Sequence, residues 1–168
     1  MQVEVDQICR KRARVPHNIF MLNLALIHLL MTPAAIALEI GILGMLIPLA
    51  FSLGIILYTY IKSKNLQNTE HWFVTEHWKL SLKRYRMLII SYAITAGLML
   101  IGGFLAMSST DPNMQDILKT VFIRIAIMPV LLMVMINFYL ESSAINMASR
   151  GEIPDAMRPA PDEQDNQK

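Results

Sequence analysis

The chain has 168 residues, 54% hydrophobic and 17% charged, with a net charge of +2 and a single cysteine, Cys9. It is more apolar and less charged than ordinary soluble domains, and one cysteine excludes both an intramolecular disulfide framework and a cysteine-rich zinc site. The apolar residues form long runs almost free of charge, with the charges crowded between them, which is the pattern of an integral membrane protein.

Residues 1–18 form a basic tail carrying Arg10, Lys11, Arg12 and Arg14. Next to an apolar run, such a cluster sets topology and meets acidic lipid headgroups; nucleic-acid binding is not expected of it. The first span is expected over residues 19–38, with Asn23 and His28 inside it. The same start, with Pro33 and the small-residue pattern Ala35-Ile36-Ala37, also has features of a secretory signal peptide. Asn23 and His28 within the apolar run speak for a span instead.

The second span is expected over residues 40–61, which contain no charged side chain. A single helix across both runs would extend roughly 65 Å, about twice the hydrocarbon thickness. The chain must therefore turn back near Glu39, at the membrane interface, where water satisfies the backbone.

Between the second and third spans stands the stretch EHWFVTEHW, which repeats Glu-His-Trp as Glu70, His71, Trp72 and Glu76, His77, Trp78. A six-residue step turns a helix by about 600°, so the two histidines point roughly 120° apart and do not grip one metal ion from a single helix. The expected element is an amphipathic helix over about 69–86, lying at the headgroups and running into the third span. Its tryptophans would be belt residues, and its other face would contact lipid or a partner protein.

The third span, residues 87–107, is free of charge, and a short acidic loop, SSTDPNMQD, follows it. The fourth span, 120–140, carries Arg124 near its start and Asn137 near its end. Arg124 either snorkels to the surface or pairs with Glu39, which topology places on the same side. Asn23 and Asn137, at comparable depth, are candidates for a hydrogen bond across the bundle. After Gly151 the chain is Pro-rich and polar and is expected to be disordered.

Basic residues crowd the amino-terminal tail, the segment between the second and third spans, and the carboxyl tail. By the positive-inside rule, all three lie in the cytoplasm. The expected fold is thus an all-α integral membrane protein with four transmembrane helices (residues 19–150), both termini cytoplasmic, and an interfacial helix leading into the third span. A bacterial inner membrane is the expected location.

The sequence contains no phosphate loop, zinc-protease motif or nucleophile with a base, so no catalytic or metal site is expected. Three functions remain in play. The first is an accessory, assembly or scaffold subunit that associates with other membrane subunits or with itself. Small residues at close-packing spacing, Ala93 with Gly97 and Gly102 with Ala106, support it. The second is a small carrier or proton-coupled channel working through His28, Arg124 and Glu39. The third is a haem-binding redox protein, for which His28 lacks a second histidine at its depth.

Overall fold

The structure, a computed structural model, describes residues 3–38, 42–66, 69–154 and 157. Helix α1 (Gln7–Leu22) continues without a break into a π-helical segment (Asn23–Met31) and then α2 (Thr32–Ala37); α3 (Ile42–Leu66), α4 (Trp72–Ser108) and α5 (Pro112–Arg150) follow. Among the described residues, four helical stretches are long and apolar enough to cross a membrane: Gln7–Ala35, Leu46–Leu66, Trp72–Ser108 and Pro112–Arg150. The chain is a multi-pass helical membrane protein.

Two of these helices are much longer than a bilayer requires. At 1.5 Å per residue, the 37 residues of α4 and the 39 of α5 each run well beyond the ~30 Å hydrocarbon core. Their charge-free or nearly charge-free stretches, 87–107 and 120–140, already account for that thickness. The first turns of α4 and the last turns of α5 therefore lie outside the apolar stretches, and there the charged residues collect.

The helix starts follow from local chemistry. Asp6 caps α1, its carboxylate accepting from the Cys9 N–H at 2.7 Å, and that bond holds the Asp6 carboxyl below its ordinary range. His71 caps α4 in the same way, its Nδ1 accepting from the Phe73 N–H at 3.2 Å. Asp111 caps α5 by accepting from the Asn113 N–H at 2.9 Å, and Pro112 occupies the first helical position, where a missing N–H costs nothing.

The π segment precedes Pro33. A proline lacks the N–H for the bond to residue i−4, and its ring crowds that carbonyl, here Leu29. The wider helix leads up to this point, and side chains bond the backbone five residues back: Thr32 Oγ1 donates to Ile27 O at 2.9 Å, and His28 Nδ1 lies 3.2 Å from Asn23 O.

The chain divides into two compact units, Met1–Arg84 with Phe138–Lys168, and Tyr85–Asn137. In the first, a buried stripe running from α1 (Ala13, His17, Phe20) into the π segment (Leu24) repeats at three and four residues, the spacing of one helix face. A small apolar cluster of Ala13, Phe73, Ala148 and Ile153 forms here, with Val3, Val5, Trp72 and Met157 packed against it. The second unit is a helical hairpin. Gly102 admits Phe122 so closely that an added Cβ would lie 2.3 Å from the Phe122 Cβ, and Thr95 Oγ1 donates to Ala126 O at 2.6 Å.

The carboxyl end of α5 closes with a left-handed Gly151, φ 74°. The Glu152 N–H bonds Met147 O at 2.8 Å and the Gly151 N–H bonds Ala148 O at 3.3 Å, the paired bonds of a Schellman ending. The Val3 N–H then bonds Gly151 O at 2.7 Å. Residues just past Gly151, expected to belong to a disordered tail, are thus held in place by the Schellman bonds and by burial of Ile153; residues 155–156 and 158–168 lie outside the described residues.

Candidate functional site

The strongest polar constellation lies in the first unit, beyond the apolar stretches of α4 and α5. His17 on α1 sits between two partners: its Nδ1 is 2.6 Å from Glu141 Oε2 on α5, and its Nε2 is 2.9 Å from His77 Nδ1 on α4. The other carboxylate oxygen of Glu141, Oε1, accepts from Arg84 Nη1 at 3.1 Å, and the same Nη1 donates to Leu140 O at 2.7 Å. His77 Nε2 completes the chain at 3.2 Å from the Glu152 carbonyl.

His17, His77 and Glu141 are all buried, at 0%, 1% and 0% exposure. Each stands where the helix period demands a buried side chain. Glu141 belongs to the α5 stripe Val134, Asn137, Glu141, Ala144, Ala148, and its small neighbours Ala144 and Ala148 let other helices come close. Phe73, one turn before His77, lies with its ring centroid 4.8 Å from the His77 ring and covers it on one side.

The partners fix the protons. A carbonyl only accepts, so His77 Nε2 carries a hydrogen. A neutral His77 then has a bare Nδ1, which accepts from His17 Nε2–H. Burial pushes the His77 imidazole down to about 3, with His17 and Arg84 acting in the same direction. The remaining proton lies between His17 Nδ1 and Glu141 Oε2, 2.6 Å apart, while Arg84 donates to the other carboxylate oxygen. All four ring nitrogens are engaged, so neither ring presents a lone pair to a metal or haem iron in this arrangement. Among the described residues no group of three or more His, Cys, Asp or Glu side chains is placed to hold a metal ion.

The six residues of the Glu-His-Trp repeat have separate fates. Glu70 accepts from Arg12 Nη1 at 2.7 Å, and Glu76 accepts from Lys79 Nζ at 2.6 Å, both at the surface. His71 caps α4, and Trp72 is half-buried against the apolar cluster. His77 and Trp78, expected at a headgroup layer, are instead buried inside the unit, Trp78 at 3% exposure. The cause is that this part of α4 packs on other helices through its second repeat, leaving only Lys79, Lys83 and Arg86 on the open side.

The polar residues within the apolar stretches are dispersed. His28 is buried and bonded to the backbone of its own helix. Asn23 is fully buried in the π segment with no hydrogen-bond partner for either side-chain polar atom. Asn137 donates to Met133 O of its own helix at 2.9 Å, and its Oδ1 has no partner. Arg124 is exposed. Glu39 lies outside the described residues, and with it the expected ion pair to Arg124.

His17, Arg84 and Glu141 were not among the residues singled out from the sequence. A signal existed: His17 lies two residues before the first span and Glu141 directly follows the fourth, so the expected topology sets both at similar depth. Comparison with protein families, curated proteins and solved structures gives no match to this chain.

Proposed function

We propose that this protein is an accessory or scaffold subunit of an inner-membrane complex, with both termini in the cytoplasm, working by helix association. One observation carries the reading. On α4, Gly102 is filled by the chain's own Phe122, whereas an added Cβ at Gly97 or Gly103 would meet no atom within 4 Å. Ala93, one turn before Gly97, is exposed. A small-residue pair one turn apart and open to the outside allows the backbone of another transmembrane helix to approach. The sealed polar chain supports the same view, because groups buried at all their hydrogen-bonding atoms serve cohesion more readily than turnover.

The test is purification in mild detergent with identification of copurifying chains, compared with Gly97→Leu. The substitution leaves the chain's own fold intact, because the site is open, and removes the copurifying subunit or the second copy. A bare monomer that moves ions in liposomes, indifferent to Gly97→Leu, would overturn the proposal.

One observation favours a second reading, a small proton-coupled carrier. The π segment holds His28 and the unpartnered Asn23 at membrane depth, and π-helical turns gather at functional sites. Proton flux through reconstituted protein, lost in His28→Leu, is its expected signature. The haem-binding reading has the weakest support, and a purified protein without a Soret band ends it.

A further inference from the structure

We propose that the Glu141–His17–His77 chain is a one-proton latch, which clasps the carboxyl end of α5 and residues 3–6 to the rest of the first unit and opens when a second proton arrives. The argument is a count of hydrogens. The chain has three links: Glu141 Oε2 to His17 Nδ1, His17 Nε2 to His77 Nδ1, and His77 Nε2 to Glu152 O. Each link needs one hydrogen and has room for only one. Three hydrogens on these atoms amount to one proton more than a carboxylate with two neutral imidazoles.

That proton can reside on Glu141, on His17 or on His77 without any link being lost. Removing it leaves two lone pairs facing each other across one link. Adding another gives His77 an Nδ1–H that points at the His17 Nε2–H 2.9 Å away, two donors with no acceptor between them. The His17–His77 link must then break.

The charges around His77 work in the same sense. From α1 it faces His17; from its own helix, Arg84; from α5, Glu141, reached only through His17; and from the loop after α5, the Glu152 backbone carbonyl alone. No carboxylate touches His77 directly in these contacts, so an added positive charge finds no partner and is relieved by turning out toward water.

When His77 leaves, so does the hold on Glu152. That residue is joined through Gly151 to Val3, and Ile153 packs with Val3 and Val5 on the Ala13, Phe73 and Ala148 cluster. One titration thus governs both chain ends, and opening bares the apolar cluster beneath them. The latch stands independently of the scaffold reading, since it concerns the protein's own conformation.

The test is hydrogen exchange of the full chain in lipid nanodiscs from pH 7.5 to 5, corrected for intrinsic exchange rates, comparing the wild type with His77→Gln. Glutamine accepts at Oε1 and donates at Nε2, so it retains both links but does not titrate. In the wild type, protection at residues 3–6 and 151–153 falls as pH drops below the ordinary histidine range, by up to about tenfold per unit for one linked proton. In His77→Gln, protection is flat. Wild-type protection that stays flat, or opening that persists in a folded His77→Gln, overturns the latch. Should that variant fail to fold, nitrogen NMR of the wild-type imidazoles decides: His77 must gain its second proton as the ends open, and opening with a neutral His77 overturns the proposal.

Discussion

Glu141 is the residue on which most depends. It is a buried carboxylate with a cation on one oxygen and an imidazole on the other. Breaking such a pair leaves a buried charge uncompensated, at a cost of about 3–5 kcal/mol. Glu141→Leu is therefore expected to lower the thermal midpoint in detergent sharply, leaving Arg84 and His17 without their shared acceptor. Glu141→Gln keeps an oxygen for Arg84 and a donor for His17 but loses the charge, and should fall clearly less than Glu141→Leu. If the two variants fall equally, the hydrogen bonds are not what matters. Gly151 offers a second measurement, because φ 74° strains any other residue and a Cβ would lie 2.8 Å from Val3 O. Gly151→Ala should cost about 1–2 kcal/mol, and limited proteolysis should show the amino-terminal residues loosened first.

Within helices, α4 carries opposite predictions for two glycines five residues apart. Gly102→Ala forces apart the backbones on either side of Phe122, because the clash is with a Cβ and not a flexible tip. Overpacking of this kind costs about 1–3 kcal/mol. Gly97→Ala meets nothing, so the fold of the isolated chain should tolerate it. Unfolding of both variants in the same detergent separates them, and equal loss would mean that Gly97 is packed after all. At the start of α5, Asp111→Ala removes the cap to the Asn113 N–H and should cost about 1 kcal/mol. By contrast, the exposed Arg12–Glu70 pair should cost almost nothing to remove, because water and salt screen it.

For the molecule as a whole, the charge distribution predicts that tags at the two termini report from the same side of the membrane, the cytoplasmic one. Protease protection in inside-out and right-side-out vesicles checks this, and termini on opposite sides would require an odd number of spans. The fold was legible in the sequence wherever one dimension suffices. A charge-free run such as residues 87–107 must match the hydrocarbon thickness, and a run as long as 19–61 must turn back. Helix ends were partly legible: Asp111-Pro112 announces a cap, whereas His71 as a cap does not follow from its neighbours. The repeated Glu-His-Trp was legible as helical, yet the sequence could not separate its two copies. Lone sequence cues place His71 and His77 alike at an interface; the packing leaves the first at a helix start and buries the second.

Span length, helix content and the crowding of basic residues are set along the chain, because they depend only on what each segment can bury in lipid. The pairing of His17 with His77 and Glu141, 60 and 124 positions away, depends on how each helix is rotated about its axis. That rotation is fixed when several buried stripes satisfy one another at once. Polar residues on those stripes meet or miss accordingly, so only the tertiary structure joined two histidines, a glutamate and an arginine into one closed chain.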